Sequence, residues 1–391
     1  MNPRAQYPIT AYSLCNGLGS STAEVVAGLR AGRSGLRPCP LDVPFATVCG
    51  FVPGPLDALP PSLAGYDTRQ ARLALRALEE LVPHVESAVR RWGRDRVALV
   101  VGTSTGGIEE TERATSVRAR TGALPASYDW NRQHAYAALL EVARVRLNIG
   151  GPRFIVSTAC SSSGKVFGSA QRMLDAGLCD AVVVGGVDTL CQTTLRGFHS
   201  LELLSVGACR PFSAERKGIN VGEGAAFLLL ERSGDAAACL LGVGETSDAH
   251  HMTAPHPEGF GALSSMQQAL AHAQLGPEQI DHINAHGTGT LLNDAAESHA
   301  IRALCGDRVP VASTKGYTGH MLGAAGATEA IFSIVAIEQG FIPASLGATP
   351  RDPAIGVRIV EEPLVQACRV VLSNSFAFGG SNVSVAFGAR S

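Results

Sequence analysis

No Cys-x-x-Cys pair occurs among the ten cysteines, at positions 15, 39, 49, 160, 179, 191, 209, 239, 305 and 368. That gives no support to a zinc site or a thioredoxin-like centre. The cysteine spacing is not that of a disulfide framework, and a chain of 391 residues needs none. A reducing cytoplasm is the expected setting. Uninterrupted apolar runs of roughly 18 residues are missing, so no membrane span is expected. The first residues, MNPRAQYPITAYSL, show no signal-peptide pattern. Charge is sparse at 17%, and the formal net charge of -2 gives no general attraction to nucleic acid or anionic lipid.

Apolar residues make up 46% of the chain, and there are 44 glycines. This composition suits a tightly packed α/β enzyme of one large domain or two similar halves. Strand-like runs alternate with helical periodicity, which argues for largely parallel sheets covered by helices. A first strand is expected at 8–14 and a helix at 22–31. A long amphipathic helix over 67–92 carries Leu73, Leu78, Leu81, Val82 and Val85 at helical spacing. Residues 128–147 read as one further helix.

FIVSTACSSSGKVFGSAQRMLDAG, at 154–177, reads as a buried strand, a cluster of small hydroxyl residues, one cysteine and a helix. This order puts Cys160 at a helix N-terminus, where unpaired N–H groups and the helix dipole favour a thiolate, the nucleophilic form. The alternative is a small packed core residue. VASTKGYTGHMLGAAGATEAIFSIVAIEQG, at 311–340, repeats the order of strand, Ser-Thr, small-residue helix and glycine. Each copy is followed by an apolar strand with a Gly-Gly pair. Two halves packed against each other are therefore expected, 1–235 and 236–391, with small residues letting their central helices approach.

Four further stretches carry chemistry. NAHGTGT places His286 just beyond a strand end, where active-site groups of α/β proteins gather. KGYTGH places Lys315 and His320 five residues apart, with Glu329 nine residues further on. Glu329 lies among apolar residues and needs a cation, for which Lys315 is the nearest candidate. NSFAFGG supplies Phe376 and Phe378 beside glycines, and PFSAERKGINVGEGAAF is a polar glycine loop before a strand. Taken singly, either histidine could be structural and the lysine a surface residue. One cysteine, two histidines and a lysine in small-residue loops at strand ends point together to a catalytic constellation.

These motifs resemble those of the β-ketoacyl-acyl carrier protein synthases, the elongating condensing enzymes of the thiolase superfamily. STACSSS resembles their nucleophile motif, NAHGTGT their first histidine motif and KGYTGHMLGAAGATE their lysine–histidine–glutamate motif. NSFAFGGSN and RPFSAERKGINVGEGAAFLLLE match in the same chain order. The resemblance implies the thiolase fold, two similar βαβαβ halves forming a five-layered α-β-α-β-α core. It implies a decarboxylative Claisen condensation of a Cys160-bound acyl group with a malonyl thioester on acyl carrier protein. His286 and His320 would stabilise the enolate, with Lys315 and Glu329 organising them. The N–H groups of Cys160 and Phe378 would form the oxyanion hole, and Phe378 would gate the site. Thr288 and Thr290 match positions that bond the pantetheine arm, while Thr105 and Phe198 match the acyl pocket.

No metal or bound cofactor is implied, because phosphopantetheine arrives on the carrier protein. Arg69, Arg72 and Arg76, on one helix face, are the candidate carrier-docking residues; a solvated face is the alternative. The family's dimers suggest a homodimer or a heterodimer with a related ketosynthase-like subunit. ACSSS resembles the polyketide synthases more than the ACAT form common in fatty-acid synthesis, and GGVDTLCQTTLRGFHSLELLS resembles aryl-polyene condensing enzymes, so a polyene or polyketide role is expected as much as fatty-acid elongation. A thiolase would want a second cysteine in NSFAFGGSN, and initiating enzymes use asparagine where His320 stands. The remaining alternative is a non-catalytic chain-length-factor partner, disfavoured by the presence of Cys160 and both histidines.

Overall fold

A computed structural model describes residues 6–390. Eleven strands form its main sheet: β1 (Tyr7–Cys15), β2 (Val97–Gly102), β3 (Arg153–Val156), β4 (Ala181–Asp188), β5 (Gly224–Glu231), β6 (Ala238–Ser247), β7 (His282–Asn284), β8 (Pro310–Ala312), β9 (Arg358–Ile359), β10 (Val370–Ala377) and β11 (Ser381–Ala389). Their spatial order is β9-β8-β7-β10-β11-β6-β1-β5-β4-β2-β3. Strand β2 is parallel to β3 and β4, while β5 runs antiparallel to β4 and β1. The second half repeats this pattern: β7 is parallel to β8 and β10, and β11 is antiparallel to β10 and β6. The internal echo, faint in residue identities, is complete in strand order.

The two sets of strands meet where Tyr7 and Pro8 of β1 pair with Leu240 and Cys239 of β6. This short seam joins the two similar strand sets, which pack against each other as two layers, as expected. Strands β2, β4, β5 and β10 are buried along their whole length. Helices cover both of their faces, so their sequences run apolar without alternation.

Helices α1 (Arg69–Trp92) and α2 (Ala137–Leu147) cover one outer face. Helices α4 (Phe260–Ala273) and α5 (Leu291–Cys305) cover the other. Between the sheets lie α3 (Ser162–Asp175) and α6 (Ala325–Gln339), giving the α-β-α-β-α layering. The central pair crosses at glycine: a Cβ on Gly326 would lie 2.5 Å from the Gly164 nitrogen. Helix α1 buries the apolar stripe read from its sequence, and Thr68 caps it by accepting a bond from the Ala71 N–H.

The helix expected over 128–147 is broken into Trp130–Gln133 and α2. The His134 carbonyl accepts from the Gly107 N–H, and its ring bonds the Thr111 hydroxyl. These tertiary bonds end the first segment. Two helices, Ile108–Thr121 and Gln192–Ser200, were not legible in the sequence. In the first only Glu109 and Ala114 are buried, so no apolar period marks it. Among the described residues, no helix is long and apolar enough to cross a membrane.

Candidate active site

Cys160 follows β3 on a sharp turn in which Ala159 takes φ 51°, and α3 begins two residues later. A non-glycine residue in this left-handed region is strained. The small hydroxyl residues hold the turn. Ser162 Oγ donates to the Ala159 carbonyl and accepts from the Thr158 N–H, while Ser161 Oγ bonds Ser381. Ser161, Ser162 and Ser163 are fully buried. They shape the turn and do not line the cavity above the sulfur.

The other half supplies the remaining groups. His286 leaves β7 in a loop whose N–H groups are clasped by the Glu297 carboxylate of α5, at 2.8 Å from His286 N and 2.8 Å from Gly287 N. Asn374 of β10 also donates to Glu297. Lys315 Nζ lies 2.5 Å from both the His286 carbonyl and Glu329 Oε1. His320 is seated by its N–H on the Asn220 carbonyl. Its Nε2 lies 2.9 Å from Cys160 Sγ. The His286 and His320 rings stand 5.3 Å apart, almost perpendicular. Thus Cys160, His286, His320, Lys315 and Glu329 converge, all of them buried.

Burial, followed by the Lys315 charge, holds both histidines well below their usual range, so both rings are neutral. Burial pushes the Cys160 thiol up to about 11, against the pull of Lys315 and of the Phe378 N–H. The helix N-terminus is expected to favour a thiolate, and burial opposes it at this position. The backbone N–H groups of Phe378 and Cys160 lie near enough to the sulfur to oppose that rise. They therefore stand close to the atom to which an acyl group would attach.

A cavity of about 370 Å³ opens above the sulfur. Its lining includes Phe198, Ile219, Phe376, Phe378, Thr288 and Thr290, with Lys217, Met252 and Leu291 exposed to solvent. The Phe198 and Phe378 rings lie 5.9 Å apart. Thr288 and Thr290 hydroxyls are 3.0 Å apart, and Thr290 also caps α5.

Other expected residues are placed differently. Thr105 does not line this cavity; its hydroxyl and N–H bond the buried Asp188 carboxylate at 2.7 and 3.0 Å. Arg69 turns inward and pairs with Glu223, whose side chain is 1% exposed. Arg72 is held by Asp67, and Arg76 bonds the Ser20 carbonyl. The three arginines therefore do not form a free basic face.

Glu297, Asp294, Asp188 and Asn220 were not singled out from the sequence. Asp294 accepts from the N–H groups of Gly289 and Phe212. The signal for two of them was an acidic pair at i, i+3 directly after the glycine loop of His286. Such a pair on a buried helix face needs donors, and the loop's N–H groups supply them.

A family model for the β-ketoacyl synthase N-terminal domain matches residues 9–236, and one for the C-terminal domain matches 237–349. Nodulation protein E of Rhizobium meliloti (strain 1021) is 34% identical over 96% of this chain and 96% of its own. A 3-oxoacyl-[acyl-carrier-protein] synthase 2 of Synechocystis is 29% identical over 97% of each chain. Among solved structures, a chain of the ketosynthase ApeO in complex with its chain length factor ApeC, from Xenorhabdus doucetiae, superposes with a TM-score of 0.92. It is 38% identical and covers 99% of this chain and 98% of that one. The ishigamide ketosynthase/chain length factor gives 0.91 at 30% identity, covering 99% of this chain and 100% of that one. With its strand order and its cysteine–histidine–histidine–lysine cluster, the chain belongs to the β-ketoacyl synthase family of condensing enzymes.

Proposed function

We propose that this chain is the catalytic subunit of a condensing reaction in fatty-acid, aryl-polyene or type II polyketide elongation. It joins a Cys160-bound acyl group to malonyl-acyl carrier protein and forms a β-ketoacyl-acyl carrier protein. The observation that carries this reading is the 2.9 Å contact of Cys160 Sγ with neutral His320 Nε2, beside His286 and under an apolar cavity.

In the first half-reaction the thiol passes its proton to His320 as sulfur attacks the acyl thioester. The tetrahedral oxyanion sits at the Cys160 and Phe378 N–H groups, where a lost donor typically costs about 3 kcal/mol. His320 returns the proton to the departing pantetheine sulfur. In the second, the malonyl group loses carbon dioxide, and its enolate oxygen is held by His286 and His320. The enolate carbon attacks the acyl-cysteine carbonyl, and collapse frees the Cys160 sulfur. Among the described residues the Nδ1 atoms of both rings have no hydrogen-bond partner, so no protein contact locks either tautomer. The same Nε2 can accept a proton in one half and donate a hydrogen bond in the other.

The phosphopantetheine travels on the carrier protein, and the enzyme holds no cofactor of its own. The ketosynthase–chain length factor complexes among its structural neighbours support a heterodimer with a related subunit. Ten unpaired cysteines suit a cytoplasmic enzyme.

The test is intact-mass detection of Cys160 acylation from a panel of acyl-carrier proteins, followed by malonyl-carrier addition, with and without the related subunit. Acylation followed by release of a β-ketoacyl product is expected. A chain that neither acylates nor decarboxylates under either condition is instead a non-catalytic partner subunit.

A further inference from the structure

At the mouth of the cavity one cation stands apart. Lys217 lines the opening and is exposed, and no carboxylate among the described residues lies within ion-pair distance of its ammonium group. Its neighbour Arg216 is nearly buried and fully engaged, with Asp352, the Ser213 carbonyl and the Thr290 carbonyl. These bonds tie the Lys217 backbone to the same wall that carries Thr288 and Thr290. Other charged residues of the lining differ in kind. Glu202 is an exposed anion, and Asp248 is occupied by Asn382 and the His256 N–H.

The lining of the cavity combines several chemistries. Cys160 and Phe376 are buried, the hydroxyl residues Thr288 and Thr290 belong to the same lining, and Lys217 is exposed. A phosphopantetheine arm carries the matching groups: thioester, amides and hydroxyl, then a phosphate, which is a singly charged diester on the carrier protein and a dianion in the free arm. We infer that Lys217 pairs with the phosphate of the phosphopantetheine arm, and so distinguishes phosphorylated from dephosphorylated thiol carriers. This rests on the condensing-enzyme reading for the ligand, though not on turnover. An ammonium on a flexible stem suits a phosphate as a point charge without demanding one geometry. Tethering beside the anchored Arg216 limits how far the group can wander.

The experiment measures equilibrium binding of free phosphopantetheine and free pantetheine to the full chain by titration calorimetry, at low ionic strength. Wild type is expected to bind the phosphorylated arm roughly fivefold more tightly, the scale of an exposed ion pair. Lys217→Glu should abolish or invert that ratio, and Lys217→Arg should keep it. Rising salt should shrink the ratio in wild type and leave it flat in Lys217→Glu. A wild-type ratio of one, or the same ratio in wild type and Lys217→Glu, overturns the assignment. Cys160 acylation is scored separately by intact mass. Loss of acylation with the binding ratio intact would refute the catalytic reading and leave Lys217 assigned. A fifth measurement, with carrier protein in place of the free arm, separates a phosphate contact from one to the carrier's own acidic side chains. An effect seen only with carrier protein also overturns the proposal.

Discussion

Lys315 joins the two ends of its own motif to the other histidine loop, because its single ammonium bonds both the Glu329 carboxylate and the His286 carbonyl. Both side chains are almost completely buried, at 1% and 4% exposure. Removing one partner of such a pair strands the other charge in the interior, which costs about 3–5 kcal/mol. Glu329→Ala should therefore destabilise the fold on this scale in denaturant unfolding. The double variant Lys315→Met with Glu329→Leu should recover most of that stability. It should stay deficient in malonyl decarboxylation, because the charge beside His286 and His320 is gone.

The Cys160 thiol, pushed up to about 11, titrates far above neutrality. Its alkylation by iodoacetamide should therefore rise about tenfold per pH unit from pH 7 to about pH 10, since only the thiolate reacts. Lys315 lowers this pKa, so Lys315→Met should slow alkylation at every pH in that range. A rate already level near pH 7 would show a resting thiolate and contradict the burial argument.

Phe198 faces the cavity and touches the Phe378 ring, whereas Thr105 is bonded to Asp188. Phe198→Ala should lengthen the acyl chains accepted from carrier protein, read as product distribution in a condensation assay. Thr105→Val should appear first in stability, because it leaves buried Asp188 short of a donor, at a cost of about 1–3 kcal/mol. Chain-length selectivity that follows Thr105 and ignores Phe198 would reverse this assignment.

Much of the site was legible because its residues lie in motifs where small residues surround one reactive group. Cys160, His286 and Lys315 each follow a strand end, and the repeat of supersecondary order places those ends together. The inward turn of Arg69 on α1 was not legible for a different reason. Helical spacing shows which residues share a face, but not that Arg69 would find Glu223, 154 positions away, in the interior. Desolvation of Cys160 was equally invisible. A sequence shows the helix that follows a thiol but not how completely water is excluded from it. Glu297 was missed because its partners are backbone N–H groups, which no side-chain pattern records.

Glu109 gives a pH test outside the site. Burial raises its carboxyl to about 7 although Arg113 bonds Oε1, and among the described residues Oε2 has no partner. The folded state therefore holds the proton more tightly than the unfolded chain. The stability this contributes is present at low pH and is lost as pH rises from about 4.5 through 7. Glu109→Gln should narrow the difference in unfolding midpoint between pH 5 and pH 8. An unchanged difference would show that water or Arg113 neutralises the penalty.

The seam where β1 meets β6 bears on how this enzyme can be recombined. Cys160 comes from one set of strands, and His286, Lys315 and His320 come from the other, yet all are anchored to the same hydrogen-bonded sheet. A chimera cut between Glu231 and Ala238 would have to carry over matched residues at Tyr7, Pro8, Cys239 and Leu240, and the Gly164–Gly326 crossing. Otherwise the donor and acceptor halves would each fold toward their own register, and the sulfur would lose its imidazole. An exchange of either half would therefore have to bring the seam and the central helix crossing with it.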